Sequence, residues 1–167
     1  VGSGVVVVGG ANSYDGNLTV VAGTVRGGSG TALGSLIGST TVESGATLDV
    51  GGQTLNNEVV TVSGAGVGGN GAIVNSGADS LNAMGNVTLA GNTTFGGFSR
   101  WDIRGGSLVA NNVSLTKVGL NQVSLANLTV DSLLGDVDVQ GGLLGLEGST
   151  TQLGNPANTL TVRAGAS

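Results

Sequence analysis

The amino-acid sequence predicts an all-β fold, a parallel β-helix or β-solenoid of about seven coils with no large helices. Three observations indicate this fold. Short strand-like triplets recur along the chain, glycine accounts for 34 of the 167 residues, and the sequence repeats itself at long range. Aromatic residues make up only 2% of the chain and the apolar share of 39% is mostly aliphatic, which suits a narrow core.

The triplets have the form aliphatic, small polar, aliphatic, which is the alternation of a half-buried strand. Glycine, asparagine, serine or aspartate brackets them, so each strand is short and ends in a sharp turn. The triplets are Leu18–Val20, Val60–Val62, Val87–Leu89, Val113–Leu115, Val123–Leu125, Leu128–Val130, Val137–Val139 and Leu160–Val162.

Short strands with frequent turns fit either an antiparallel sandwich or a parallel solenoid, and two features favour the solenoid. The first feature is that two-residue hairpin signals are few, Asp15-Gly16 being the clearest, whereas a sandwich of this length needs several. The spacing between successive strands of roughly 20 to 27 residues is also compatible with the coil length of a solenoid.

The second feature is the long-range repeat. Segment 1–8 aligns with 118–125 at an offset of about 117 residues, and segment 33–46 aligns with 153–166 at an offset of about 120. We therefore interpret residues 1–167 as a single solenoid segment. In this interpretation 1–117 form one long repeat unit and 118–167 are the start of a second copy.

One segment of the chain reads Leu115-Thr116-Lys117-Val118-Gly119 and is followed by Val123-Ser124-Leu125. This segment resembles the Leu-Thr-Lys-x-Gly core, with its next strand, of the autotransporter-associated β-strand repeat of bacterial surface proteins. The segment 12–25 is similar to the one that normally follows that core, and segments 32–50, 62–73 and 89–91 resemble the later coils. The chain departs from the family pattern at Asn121, where a second glycine is usual, and the second copy has no counterpart of Tyr14.

The resemblance implies a right-handed parallel β-helix displayed outside the cell or on the outer surface of a bacterium. Neither end of the sequence shows an amphipathic cap, and uncapped coils present bare strand edges. We therefore expect the segment to stack end to end with identical copies or to continue into further repeats.

Composition argues against several classes of function. Five Lys and Arg against ten Asp and Glu give a net charge of −5 without a basic cluster, so nucleic acid is not an expected partner. No apolar run approaches the roughly 20 residues that span a bilayer, so no membrane insertion by this segment is expected. The absence of Cys and His removes the usual transition-metal ligands and the commonest general base. We expect no catalytic residues, no cofactor and no metal site.

Four side chains are weak candidates for ligand contacts: Tyr14, Asp49, Asp102 and Asp138. The ring of Tyr14 stands beside a turn and is suited to stacking on a sugar. The aspartates are predicted at outward strand positions or corners, where a single column of them would hold calcium. Ordinary solvated strand faces are the favoured interpretation of these carboxylates.

The strand around Trp101 carries two further predictions. Trp101 shares the inward parity of its neighbours and is predicted to pack in the core. Arg100 and Arg104 flank this strand with Asp102 between them, and a surface pairing of these charges is expected.

Five Asn-x-Ser/Thr sequences are interpreted as structural, because asparagine suits the corner before a strand. They begin at Asn17, Asn86, Asn92, Asn112 and Asn127.

The sequence favours a structural function, a surface stalk or a self-associating fibre, because it repeats without a concentrated chemical site. The alternative is an adhesin or ligand-binding passenger domain that recognises a glycan or a host surface through the segments Gly66–Gly71 or Ala78–Gly85. A polysaccharide-cleaving enzyme is the least favoured hypothesis.

Overall fold

A computed structural model describes residues 2–55 and 58–167. These residues form parallel strands and one short 3₁₀ helix, Val67–Gly69. The strands, numbered in chain order, are β1 Val5–Val8, β2 Leu18–Val20, β3 Gly23–Gly27, β4 Thr40–Val42, β5 Ala46–Asp49, β6 Val59–Gly64, β7 Ile73–Val74, β8 Ser80–Phe95, β9 Trp101–Val109, β10 Val113–Lys117, β11 Gln122–Ala126, β12 Thr129–Val130, β13 Leu134–Val139, β14 Leu143–Glu147 and β15 Leu160–Val162.

The fold is a parallel β-solenoid of about seven turns, as the sequence predicts. Its strands pair into three ladders, which we call faces I, II and III. Face I contains β2, β4, β6, the middle of β8, the end of β9 and β12. Face II contains β1, β3, β5, β7, the end of β8, β10, β13 and β15. Face III contains the starts of β8 and β9 together with β11 and β14.

Inward side chains of successive coils stack on one another in columns. On face II, Leu48 pairs with Ile73, Ile73 pairs with Phe95, and Phe95 pairs with Lys117. All four side chains are fully buried. The rings of Phe95 and Trp101 meet edge to face, with centroids 5.1 Å apart and planes inclined by 72°. The core is therefore a narrow aliphatic column with one aromatic pair.

Asparagine and aspartate side chains tie each coil to its neighbour at the corners. The side-chain oxygens of Asn17, Asn92 and Asn127 accept backbone N–H groups 22 residues further along the chain, at 2.9–3.1 Å. Asp79 and Asp136 accept backbone N–H groups from the adjacent coil in the same way. These bonds satisfy donors that the turns leave free and fix the register between coils.

The sequence-based strands are confirmed with two differences. β8 runs for 16 residues through Asn86 and Asn92, which were expected at corners before strands. The segment Ala78–Gly85, expected as a recognition loop, enters this strand at Ser80. The division at residue 117 remains a prediction. Within the described residues, no helix has the length and apolar character needed to cross a membrane.

Candidate functional site

The outer surface of face II carries a groove of about 870 Å³. Its floor consists of the outward side chains of successive coils, which alternate with the buried column described above. Arg26 pairs in register with Asp49, and Asp49 pairs with Val74. The groove therefore crosses several coils and runs along the solenoid axis.

One wall of the groove is the segment between β6 and β7, which includes the 3₁₀ helix. The buried hydroxyl of Thr47 holds this wall, because it donates to the carbonyl oxygen of Gly71 at 2.9 Å and accepts the N–H of Val67 at 2.9 Å. Several glycines in this wall, among them Gly66 and Gly71, have positive φ angles that other residues rarely adopt. The wall coincides with the segment Gly66–Gly71 that sequence reasoning proposed for recognition.

The opposite wall carries a ridge of two apolar side chains, Phe98 and Leu120. Phe95 pairs with Lys117, so Phe98 and Leu120 occupy equivalent positions on adjacent coils. They are 88% and 92% exposed, and both line the groove. This wall therefore exposes two large apolar side chains on adjacent coils.

Buried Asn75 shapes the corner that presents the ridge. Its backbone oxygen accepts the N–H of Phe98 at 3.0 Å. Its side-chain amide donates to the carbonyl oxygens of Ala78 and Arg100, and its side-chain oxygen accepts two backbone N–H groups. Every polar atom of this side chain is bonded, so the ridge stands on a rigid support.

The two charged side chains in the groove, Asp49 and Arg26, differ in their hydrogen bonding. Asp49 accepts the N–H groups of Gly51 and Ser76 and also the hydroxyl of Ser76. The guanidinium of Arg26 lies 3.6 Å from Asp49, beyond hydrogen-bonding distance, and its side chain is 39% exposed. Among the described residues Arg26 donates no side-chain hydrogen bond, whereas Arg100, Arg104 and Arg163 all do.

The predicted ligand contacts do not come together. Asp49 lies on β5 and Asp138 on β13, both on face II, whereas Asp102 lies on β9 on face III. Asp138 is partly exposed and pairs with Arg163 at 2.8 Å. A single calcium column is therefore wrong for these three aspartates, and within the described part of the chain no group of three possible metal ligands is found.

The expectation of solvated aspartates is also wrong for Asp49 and Asp102, which are buried. Asp102 is covered by Arg100 and Arg104, which donate to its two oxygens at 2.7–2.9 Å. The expected pairing is thus confirmed, but around a buried carboxylate. Glu147 of the last coils extends the cluster by accepting from Arg100 and from the Ser124 hydroxyl. The predicted core position of Trp101 is confirmed.

Tyr14 lies away from the groove, and its ring packs on Gly34. A β-carbon at Gly34 would lie 2.8 Å from the Tyr14 ring. Burial, and secondarily the charge of Glu58, raise the pKa of the Tyr14 hydroxyl. The pKa of Glu58, which accepts the Thr40 hydroxyl at 2.7 Å, is itself raised by burial. Glu58 lines a smaller cavity of about 330 Å³.

Lys117 is the residue whose role sequence reasoning missed. Its ammonium is buried at the corner below the ridge and donates to the carbonyl oxygens of Val118, Gly119 and Gly141 and to the side-chain oxygen of Asn121, at 2.8–3.2 Å. Burial lowers its pKa to about 8. The signal was available in the inward parity that Lys117 shares with Leu115.

No protein-family model, curated protein or solved structure matches this chain. The resemblance to the autotransporter-associated repeat therefore rests on the sequence segments alone.

Proposed function

We propose that this chain is a structural segment of a bacterial surface protein, a stiff β-solenoid that forms part of a stalk or fibre. The observation that supports it most is the continuity between coils. Backbone ladders join the strands on each face, and corner asparagines and aspartates bond backbone groups of the adjacent coil. Bonds repeated at each step resist bending and shear, which is the property a stalk requires.

End-to-end pairing of such segments would use face II, where the two outermost strands are β1 and β15. Val6 and Val162 occupy the same inward column and are 60% and 53% exposed. Placing β15 of one copy beside β1 of the next would continue the parallel ladder and cover both side chains.

Sedimentation velocity over a concentration series tests this proposal. The chain should form higher oligomers, and Val6→Lys should abolish them because it places a charge inside the continued column. Val59→Lys is the matched control, since Val59 is exposed but lies on β6 in the middle of the ladder order. A chain that remains monomeric, or that loses association equally in both variants, would contradict the proposal.

A second candidate function, ligand binding by a passenger domain, is favoured by the groove on face II. Its exposed ridge of Phe98 and Leu120 stands opposite a wall fixed by Thr47. Replacing Val67–Gly69 by a Ser-Gly-Gly turn, which keeps both glycines of positive φ, should leave the circular dichroism spectrum unchanged but lower binding to a glycan array. Binding that is unaffected by this replacement would exclude the groove as the recognition surface.

A further inference from the structure

One of the five Asn-x-Ser/Thr sequences takes no part in the bonds between coils that explain the other four. In those four, the side-chain oxygen of the asparagine accepts a hydrogen bond from the next coil: Asn17, Asn86, Asn92 and Asn127. Asn112 is exposed, and its side chain makes no hydrogen bond with the residues that the structure describes. The structural interpretation therefore accounts for four of the asparagine side chains and leaves the amide of Asn112 unused.

The hydroxyl residue of this fifth sequence also differs from its counterparts, because it lies outside the ladder. Ser114 has no register partner on either neighbouring strand, since the pairing of β10 with β8 starts at Leu115 and its pairing with β13 shifts between Val113 and Leu115. The corresponding threonines of the other four sequences all belong to register pairs: Thr19, Thr88, Thr94 and Thr129. Residues 112–114 therefore open locally with less loss of backbone pairing than the other four sequences.

The turn that carries Asn112 explains part of this sequence but not all of it. Asn112 has a φ angle of 56°, in the left-handed region that asparagine tolerates better than most residues. Its backbone N–H donates to the carbonyl oxygen of Leu133 at 2.8 Å, so the backbone anchors the turn while the side chain stays in solvent. The positive φ angle favours asparagine at this position, but it requires no hydroxyl at Ser114.

We propose that Asn112 is a site of N-linked glycosylation, with Ser114 as the residue that the transferase recognises. An exposed asparagine, followed after one residue other than proline by serine or threonine, is the acceptor sequence of this modification. The donor is a sugar carried on a diphosphate. Its C1–O bond breaks as C1 bonds to Nδ2 of Asn112, the phosphate leaves with the electron pair, and Nδ2 loses one proton.

The position of Asn112 makes this inference independent of the proposed stacking. Asn112 lies between β9 and β10, on the side of the solenoid, whereas end-to-end pairing uses β1 and β15. A sugar at Asn112 would add a bulky, hydrated group to the side of the solenoid and leave both terminal strands uncovered. Failure of either proposal therefore leaves the other intact.

Peptide mass spectrometry of the chain purified from its natural source tests the proposal. Cleavage after Arg104 and Lys117 isolates residues 105–117, which contain Asn112 and none of the other four sequences. We expect this peptide to carry at least one sugar, and the peptides that contain the other four sequences to carry none. An unmodified peptide 105–117, or equal modification of all five sequences, would overturn the proposal.

Transfer of glucose from UDP-glucose to the folded chain by a soluble asparagine glycosyltransferase tests the roles of the two residues, with the unfolded chain as the positive control. Ser114→Ala keeps Asn112 and should lose the added glucose, as should Asn112→Gly, which tolerates the positive φ angle. Thr116→Ala is the matched control, since it removes a hydroxyl further along β10 and should accept glucose like the unmodified chain. No transfer to the folded chain, or equal transfer to Ser114→Ala and Thr116→Ala, would contradict the assignment.

Discussion

Because the ammonium of Lys117 is buried, we expect the free energy of unfolding of the chain to depend on pH. Burial lowers its pKa from 10.5 to about 8, so between these values the unfolded chain binds more protons than the folded chain. The free energy of unfolding therefore rises with pH across this interval. A full proton difference changes it by about 1.4 kcal/mol per pH unit, so the whole interval is worth about 3 kcal/mol.

Urea unfolding at pH 7, 8, 9 and 10 measures this effect, with the fluorescence of Trp101 as the probe. Trp101 is the single tryptophan and is fully buried, so unfolding changes its environment. The Lys117→Met variant should lose the rise in stability between pH 8 and pH 10, while Arg163→Met should keep it. Burial raises the pKa of the Tyr14 hydroxyl above its usual value in every variant, so its contribution cancels in the comparison.

A flat profile for the unmodified chain, or an equal rise in Lys117→Met, would refute this reasoning. Lys117 is the only lysine of the chain, so carbon or nitrogen NMR of its side chain gives the pKa directly. A value near 10.5 would show that the four oxygen acceptors compensate fully for burial.

Three further substitutions test other contacts of the solenoid. Asp102→Asn should destabilise the chain by about 3 kcal/mol in thermal unfolding because it leaves Arg100 and Arg104 facing an amide, whereas equal stability would show that the cluster contributes nothing. Gly34→Ala should lower the melting temperature more than Gly45→Ala, since both have positive φ but only Gly34 is crowded by a neighbour; equal shifts would contradict this. Asn127→Ala should cost about 1 kcal/mol in urea unfolding through loss of its bond to the next coil, and Asn127→Gly should recover part of it by tolerating the positive φ; a neutral alanine variant would count against the corner bonds.

Much of the fold follows from local sequence signals. Each apolar-polar-apolar triplet sets one short strand, as Leu18–Val20 and Leu160–Val162 show, and glycine or asparagine sets the turn beside it. The length of β8 was not predictable in this way. Its segment contains Gly85 and Gly91, which ordinarily mark turns, and pairing with four neighbouring strands overrides that preference.

The candidate site was harder to predict because it depends on register between coils. Asp49 and Arg26 are 23 residues apart, and their proximity follows only from the pairing of β3 with β5. The burial of Asp102 likewise depends on how two arginine side chains fold over it, which the alternation of a strand does not contain. Phe98 and Leu120 carried no motif, and only the spacing of 22 residues relates them.

The central claim is that this solenoid segment stacks along its axis. Cryo-electron microscopy of the chain in native buffer is the most direct test of it. We predict filaments one solenoid wide, with a meridional repeat near 4.8 Å and β15 of each copy beside β1 of the next. Dispersed particles at every concentration, or filaments whose strands run along the fibre axis, would contradict it.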